Sequence, residues 1–420
     1  MSIALMMNLA ASLGQAPSRQ QLVRAVDISV LDVRSVNRLA LFCRFMLDNP
    51  ERLPLIQSLK IHVYPGYPAA GKSWVFFETQ LAPVLESAIN IKMISLSWIE
   101  PDTPCLRQAI VSCFSRVVEL GLGQGSSRLA FIHQSLSRCN PRLRRVDLTL
   151  GGRDDLVGVL SALQPCQDSL EELQVWKLPR SRRVSSLQWP LVQSLTIEGH
   201  IFGLTWLYSV FPNLQHLVLS ESMESIGSGS DSPVEDIAAW SSLRTYKGRL
   251  RAFLSLGVTC RLAKLFVTES FTGLFAHLQV PILATVLARS RPRCLFMKIV
   301  DVPEYRDCSS DDMLARLCDP TLWGAAPDLE SLHIEFTGEW LCDVLLLKCM
   351  RKLCERVSSG LGQGYGPEEE QCKSKTPGIP PSKQNRLSAE YLSSKTHRSS
   401  SSAPRPNPHQ PNHIQTSTCK

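Results

Sequence analysis

One short pattern of apolar and polar positions returns along most of the chain. An apolar residue is followed by two variable residues, a second apolar residue, one variable residue and a third apolar residue. Nine regular copies begin at Ile56, Ile91, Val117, Leu143, Leu170, Val192, Leu214, Leu262 and Leu329, and two less regular copies begin at Leu243 and Cys294. The last two apolar positions alternate with a variable one, which is typical of a half-buried strand.

The distances between the copies predict a repeat architecture. Successive copies begin 19 to 35 residues apart, which is enough for one strand and one connecting helix. The connecting segment that contains Leu156, Leu160 and Leu163 has its leucines at helical intervals. Because one such unit cannot bury its own apolar face, neighbouring units must stack. We therefore predict an α/β solenoid with a curved parallel sheet and outer helices.

The lead-ins "FPNLQHLVL" and "APDLESLHI" resemble those of leucine-rich repeat proteins. The irregular spacing is most similar to the F-box-associated kind that is common in fungi, notably basidiomycetes, and "FMLDNPERLPLIQSLKIHV" resembles the start of its repeat region. The resemblance covers roughly residues 20–358 and implies a leucine-rich repeat fold and a substrate-recognition role beside a cullin-type ubiquitin ligase. An F-box is not recognisable before the repeats, so we expect either a truncated chain or one that works without it.

Composition divides the chain into segments. We expect residues 1–20 to be poorly ordered, residues 21–358 to form the repeat domain, and an amphipathic helix at about 339–358 to cap its end. Residues 359–420 are rich in Ser, Pro and Lys and poor in apolar residues, so we predict a disordered tail. The low-complexity stretch Ser220–Asp236 is predicted to be a long surface loop within the array.

The variable residues that flank the strand apolars should line the concave face of the array, where we expect an unidentified protein partner to bind. The predicted partner-binding residues are Lys60, His62, Glu119, Arg145, Asp147, Glu172, Gln174, Trp176, Thr196, Glu198, His216, Lys264, Phe266, His333 and Glu335. Their mixed charge suits a protein better than a polyanion. Trp176 and Phe266 are the natural anchors, although either ring could instead pack against neighbouring repeats. Gly121 is expected to leave a gap that a partner side chain could fill.

The glycines at Gly121, Gly123 and Gly125 offer an alternative, a nucleotide-binding enzyme that uses this turn. A dinucleotide fingerprint requires its third glycine one position later, where Ser126 lies, so we disfavour that hypothesis. No Gly-x-Ser-x-Gly elbow occurs, and the six histidines that precede the predicted tail never pair at a spacing of four residues. We therefore predict a non-enzymatic protein without a metal or cofactor.

The overall charge and the cysteines narrow the class of protein further. The net charge is +7, but eight Lys/Arg and four Asp/Glu lie from Gly360 onward, so only +3 remains for the first 359 residues and nucleic acid is not the expected partner. No segment has the ~20 consecutive apolar residues of a membrane span, so no membrane association is expected. The fourteen cysteines form no metal or disulfide framework, and no Asn-x-Ser/Thr acceptor occurs. These features predict reduced cysteines and an intracellular location, cytoplasmic or nuclear.

Overall fold

Within the part of the chain that the structure describes, twelve strands form one sheet, and each strand is parallel to its neighbours. Their order in space is their order in the sequence. They are β1 (Ala25–Val30), β2 (Ser58–Val63), β3 (Met93–Ser97), β4 (Glu119–Leu122), β5 (Arg145–Thr149), β6 (Glu172–Ser181), β7 (Ser194–Ile201), β8 (His216–Ser220), β9 (Thr245–Gly248), β10 (Lys264–Phe271), β11 (Cys294–Val300) and β12 (Ser331–Thr337). The predicted parallel α/β sheet is therefore confirmed.

The computed structural model describes residues 24–30, 33–63, 72–97, 104–123, 136–150, 156–181, 187–201, 204, 206–220, 240–271, 276–300, 316–317, 319–337 and 351. These residues belong to one compact unit, Met1–Glu368. The predicted N-terminal segment at 1–20, the tail at 359–420 and all of the predicted capping helix except Arg351 lie outside the described residues. The predicted surface loop lies outside them as well, apart from Ser220, which ends β8.

Helices connect many of the strands. They are α1 (Val33–Asp48), α2 (Lys72–Ser87), α3 (Pro104–Phe114), α4 (Leu156–Ala162), α5 (Trp206–Val210), α6 (Leu250–Ser255), α7 (Ala276–Ser290) and α8 (Pro320–Gly324), with 3-10 turns at Pro50–Leu55 and Gln164–Cys166. Helix α1 packs against α2, α2 against α3, and α7 against both α6 and α8. The helical interpretation of the segment around Leu156 is confirmed, since Leu156, Leu160 and Leu163 are all fully buried.

The core lies between the helices and one face of the sheet. Strand residues such as Ile61 and Ile94 belong to the same buried cluster as Leu81 and Ile110 from the helices. Along β3 and β5 buried and half-buried side chains alternate, as the sequence pattern predicts. Since successive strands are neighbours and crossovers between parallel strands share one hand, their connections lie on the same side. On the opposite side, the outward side chains of the described strands are mostly half-buried or exposed.

One backbone carbonyl just before each strand sets the alignment of the next strand. The Gln57 carbonyl accepts from the N–H groups of Lys92 and Met93 at 2.8 and 3.1 Å, and the Lys92 carbonyl accepts from Val118 and Glu119 at 2.7 and 3.0 Å. The same shared acceptor occurs in ten of the eleven strand pairs, and only between β10 and β11 are the two bonds made to separate carbonyls. The repeat pattern in the sequence therefore corresponds to a repeated backbone junction.

The less regular copy at Leu243 is a true repeat with an unusual core. Tyr246 is fully buried where other strands carry Leu or Val, and it pairs in register with Leu217 and Leu265. Its hydroxyl donates to the Arg249 carbonyl at 2.9 Å. A side chain at Gly248 would come within 2.8 Å of the Tyr246 ring, so the large tyrosine fills the volume of both inward positions.

Two features of the repeat alignment differ from the prediction. Strand β1 was not among the predicted copies, although the sequence "VRAVDI" from Val23 fits the same pattern. The copy placed at Cys294 begins two residues earlier, at the buried Pro292, because Leu295 and not Met297 pairs with Leu265. A shift of two residues keeps the same side chains inward, so the face assignment was correct although the alignment was not.

Near its end, the β6–β7 pair contains a backbone conformation that only glycine allows. Gly199 has a φ of 143°, and a Cβ there would overlap the backbone carbonyl oxygen of Leu178. The pairing of β6 with β7 shifts register on both sides of Leu178. Backbone conformation and close approach therefore both require glycine at this position.

We expect Gly199→Ala to lower the free energy of unfolding by about 2–4 kcal/mol, because backbone strain and steric overlap add together. Gly324→Ala is the matched control, since nothing lies within 4 Å of a Cβ at Gly324. That control should leave the free energy of unfolding unchanged or raise it by less than about 1 kcal/mol. Urea unfolding followed by circular dichroism measures the free energy of unfolding of both variants, and equal midpoints would contradict this interpretation.

Candidate partner-binding surface

The candidate surface is the open face, meaning the strand side chains that point away from the core. All fifteen residues predicted to line the partner-binding face lie at such outward strand positions, as the registers of the paired strands establish. His216, Lys264, His333 and Glu335 are exposed, and most of the others are half-buried. The alternation of the sequence pattern was sufficient to place them together.

Thr196 is a correction to this set. It points outward from β7 but is only 9% exposed. Its register partners are Gln174 on β6 and Val218 on β8. The Gln174 side chain is longer than that of threonine and the Val218 side chain is about the same size, so packing between these two neighbours leaves Thr196 little surface to offer a partner.

The expected gap at Gly121 is also corrected. Gly121 lies within β4 and pairs with Ser95 on β3 and Asp147 on β5. A Cβ at Gly121 would lie 2.6 Å from the Ser95 hydroxyl, and one at Gly123 would lie 2.8 Å from the Ser97 Cα. The space is already occupied by the serines of the neighbouring strand. These glycines therefore allow close packing between β3 and β4. Gly125 lies outside the described residues.

Trp176 and Asp147 are linked across two neighbouring strands. The indole Nε1–H of Trp176 donates to Asp147 Oδ1 at 2.7 Å. Both side chains are half-buried, which gives a polar contact that is partly shielded from water. Trp176 therefore contacts a neighbouring repeat, the role that the sequence left open beside partner binding, and part of its ring remains exposed.

The surroundings of Asp147 disfavour its charge. Burial raises the pKa of the Asp147 carboxyl above its ordinary value, and Glu172 acts in the same direction. The hydrogen bond from Trp176 and the charges of Arg145 and His62 oppose this shift without cancelling it. In the folded state the ionised carboxylate is thus less favourable than it is in the unfolded chain.

Several outward side chains on neighbouring strands pair with one another. Arg145 on β5 lies 3.4 Å from Glu172 on β6, and Gln174 donates to Glu172 at 2.6 Å. On the last two strands, Lys298 lies 3.1 Å from Glu335. Such partly exposed pairs contribute little stability, but they fix the positions of the side chains that a partner would meet.

An aromatic stack extends across the last three strands. The rings of Phe266 and Phe296 lie 4.2 Å apart between centroids and 12° from parallel, and those of Phe296 and His333 lie 4.4 Å and 8° apart. The three residues are direct register partners on β10, β11 and β12. Phe266 thus packs against a neighbouring repeat, and it does so on the open face, outside the buried core.

Sequence reasoning missed several members of this surface, among them Lys247, Phe296 and Lys298. These three occur in the less regular copies, which were left out of the predicted row. The signal was present, because each residue stands between two inward positions of its strand. Strand alternation alone would have placed all three residues on the outward face, and the strand registers then put Lys247 beside Phe266 and Phe296 beside His333.

The described cysteines behave mainly as small core residues. They are all free thiols, and Cys43, Cys113, Cys139 and Cys166 are buried. Burial raises the pKa of the Cys43 thiol to about 12, which keeps it protonated and unreactive. Cys105 differs, because it is exposed on α3.

Two features are absent from the described residues. They contain no group of three or more His, Cys, Asp or Glu side chains that could hold a metal ion. None of their helices is both long and apolar enough to cross a membrane.

Comparison with known proteins adds no further assignment. The sequence matches no known protein-family model, and no curated protein shows significant similarity to it.

We expect Gly121→Ala to cost about 1–3 kcal/mol of stability, because its Cβ would overlap Ser95 in a close-packed strand pair. Ser95→Gly removes the overlapping hydroxyl and Cβ and leaves the Ser95 Cα at 3.3 Å, so the double variant should recover most of the loss. A double-mutant cycle by urea denaturation measures the coupling energy. Additive effects of the two substitutions would refute the packing role of Gly121.

Asp147→Asn keeps an acceptor for Trp176 and removes the disfavoured charge. The raised pKa of Asp147 means that its contribution to stability is complete below its unfolded pKa and is lost as pH rises through the folded pKa. The Asn variant should therefore be at least as stable as the parent at neutral pH and should lose that advantage near pH ~4. The midpoints of urea unfolding of the parent and the Asn variant, measured at neutral pH and near pH ~4, check this prediction.

Asp147→Ala is the matched comparison for the hydrogen bond. It leaves the indole N–H of Trp176 without its acceptor, so it should cost about 0.5–1.5 kcal/mol relative to Asp147→Asn at neutral pH. A parent protein whose advantage over the Asn variant grew with pH would show the opposite sign for the Asp147 charge.

Proposed function

We propose that the chain is a leucine-rich repeat solenoid that acts as a non-enzymatic scaffold and binds a protein partner on its open face. Support comes from the sequential parallel strands and from the apolar pattern shared by the repeats. Stacked repeats of this kind present an extended surface that is well suited to binding macromolecules.

The observation that carries the proposal is the size and continuity of the open face. Twelve strands spaced about 4.8 Å apart give a length of roughly 50 Å, and the outward residues of each strand span roughly 15 Å. The resulting area is on the order of 750 Å², close to the ~800 Å² that each partner buries in a stable protein interface. A small-molecule site needs a concave pocket far smaller than this.

The chemistry of the face also suits a protein. Acidic residues dominate β4–β7, where Glu119, Asp147, Glu172 and Glu198 face outward, whereas lysines dominate β9–β11. Half-buried aromatic rings lie in both regions. Mixed charge with aromatic anchors is the composition that supports specific protein recognition.

The finer proposal is that the protein is a substrate-recognition subunit related to the F-box proteins of ubiquitin ligases. It rests on the sequence resemblance of the repeat region and predicts association with a cullin-type ligase. An intracellular location, cytoplasmic or nuclear, belongs to the same proposal.

A nucleotide-binding enzyme that uses the Gly121–Gly125 turn is the second candidate, and the local geometry disfavours it. A phosphate-binding loop places its glycines after the strand, with free N–H groups around an open cradle. Gly121 instead pairs within the sheet, and Ser95 and Ser97 occupy the space beside Gly121 and Gly123.

Site-specific photo-crosslinking tests the proposed surface. A benzoylphenylalanine placed at His216 or Val218 on the open face should yield covalent adducts with a discrete protein in cells that express the chain. Leu41 and Leu278 are matched controls, because they are 50% and 45% exposed but lie on helices. Adducts should be several-fold fewer from these positions.

Equal adduct yields from the helical and open-face positions, or none from any position, would overturn the open-face proposal. Mass spectrometry of the co-purified proteins addresses the finer proposal separately. A cullin-type ligase subunit would support the substrate-recognition role, and its absence would remove that role while leaving the surface in place.

A further inference from the structure

The last four strands of the open face combine an aromatic stack with two lysines. The stack consists of Phe266, Phe296 and His333. Lys247 on β9 is the register partner of Phe266, and Lys264 on β10 lies two residues before Phe266 on the same outward side. We name this group of five residues the basic-aromatic patch.

The stack presents ring edges to solvent. Because the three rings are nearly parallel and about 4.3 Å apart, the faces between them are closed. Phe266 and Phe296 are half-buried, so their outer edges are the parts that a partner meets. The edge of an aromatic ring carries partial positive charge, whereas its face carries partial negative charge. The exposed part of the stack therefore favours oxygen atoms with negative charge.

The two lysines add net charge that nothing in the described structure neutralises. Lys247 and Lys264 are both exposed and make no ion pair or hydrogen bond with described residues. Other cations of this region form ion pairs: Lys298 with Glu335, Arg293 with Glu330, and Arg261 and Arg291 with the single carboxylate of Asp328. Positive potential therefore concentrates at the patch.

The sign of the patch differs from that of the centre of the face. On β4–β7 the outward acids Glu119, Asp147, Glu172 and Glu198 face a smaller number of outward cations, Arg145 among them. An acidic segment would be repelled there and attracted to β9–β12. Charge complementarity thus assigns both the sign of the ligand and its place on the face.

The closed stack also separates two anionic ligands, an acidic peptide and a single-stranded nucleic acid. Proteins bind single strands by stacking bases on open aromatic faces along a groove with many cations. Here the faces between the rings are occupied by one another, and the patch offers two lysines that have no ion-pair partner among the described residues. Carboxylates need only the ring edges and the ammonium groups, so the geometry favours a peptide.

We infer that the basic-aromatic patch binds an acidic peptide segment of the partner, with carboxylates at Lys247, Lys264 and the exposed edges of Phe266 and Phe296, and with an apolar or aromatic side chain beside the stack. This inference rests on the proposed protein-binding function and specifies the chemistry of the partner. An extended segment of about eight residues is long enough to cross four strands spaced about 4.8 Å apart.

Fluorescence anisotropy with the purified full-length chain tests the inference. The probe is a fluorescein-labelled peptide of about eight residues, composed of Asp and Glu with two Phe. The comparison probes are the same peptide with Lys replacing each acidic residue and an oligothymidine of similar length. The acidic peptide should bind, and its affinity should fall as salt is added, because exposed charges are screened.

The double variant Lys247→Glu/Lys264→Glu should weaken binding of the acidic peptide about tenfold or more, since it replaces two attractions with two repulsions. Lys92→Glu/Arg142→Glu is the matched control with the same change in net charge, at exposed positions before β3 and β5. Phe296→Ala should also weaken binding, because it opens both stacked contacts. Circular dichroism melting confirms that each variant is folded.

Each other outcome overturns the inference. Preferential binding of the lysine peptide would show that the ligand is basic and not acidic. Tighter binding of oligothymidine would assign the patch to nucleic acid. Equal effects of both double variants would show that the acidic peptide does not bind specifically at the patch. Self-association lost in Lys247→Glu/Lys264→Glu would make a second copy the occupant. If no probe binds but the open-face crosslinks form, only this inference fails; if both are absent, the proposed function fails with it.

Discussion

The shared carbonyl before each strand is the interaction on which the rest of the structure depends. It accepts two consecutive N–H groups from the next repeat, as the Gln57 carbonyl does from Lys92 and Met93. Two bonds to one atom fix both the position and the direction of the incoming strand. The pairing at the start of that strand follows, and with it the choice of inward and outward side chains. Further along, the register can still shift: it does so after Phe266 in the β10–β11 pair, which lacks the shared acceptor, and around Leu178 in the β6–β7 pair, which has it.

These alignments determine which side chains meet on the open face, because its contacts connect residues of neighbouring repeats. Trp176 reaches Asp147, Arg145 reaches Glu172, and Phe266 reaches Phe296. Each of these contacts joins adjacent strands at matching or adjacent positions. A surface built in this way can change its charge from strand to strand while the backbone repeats. This explains how an acidic centre and a basic-aromatic patch can occupy one continuous sheet.

Much of the fold could be predicted because strand alternation is local. The inward residues of the nine regular copies are buried or, on β12, half-buried, and the fifteen predicted face residues all point outward. The failures have physical causes. Strand β1 precedes the first regular copy, and the Cys294 copy was placed two residues too late because period-two alternation cannot distinguish the two alignments. Phe296 was missed because its copy was judged by regularity and not by face.

The sequence by itself determined which residues are inward and which are outward, and that the strands are parallel and stacked, since these follow from local periodicity and from the need to bury each apolar face. Only the tertiary structure decided which outward residues touch. Whether Gly121 leaves a gap depends on Ser95, twenty-six residues earlier in the sequence, and whether Phe266 is an isolated ring depends on Phe296, thirty residues later. Such contacts form only when two strands pack side by side in register, and the two-residue alternation within one strand does not encode them.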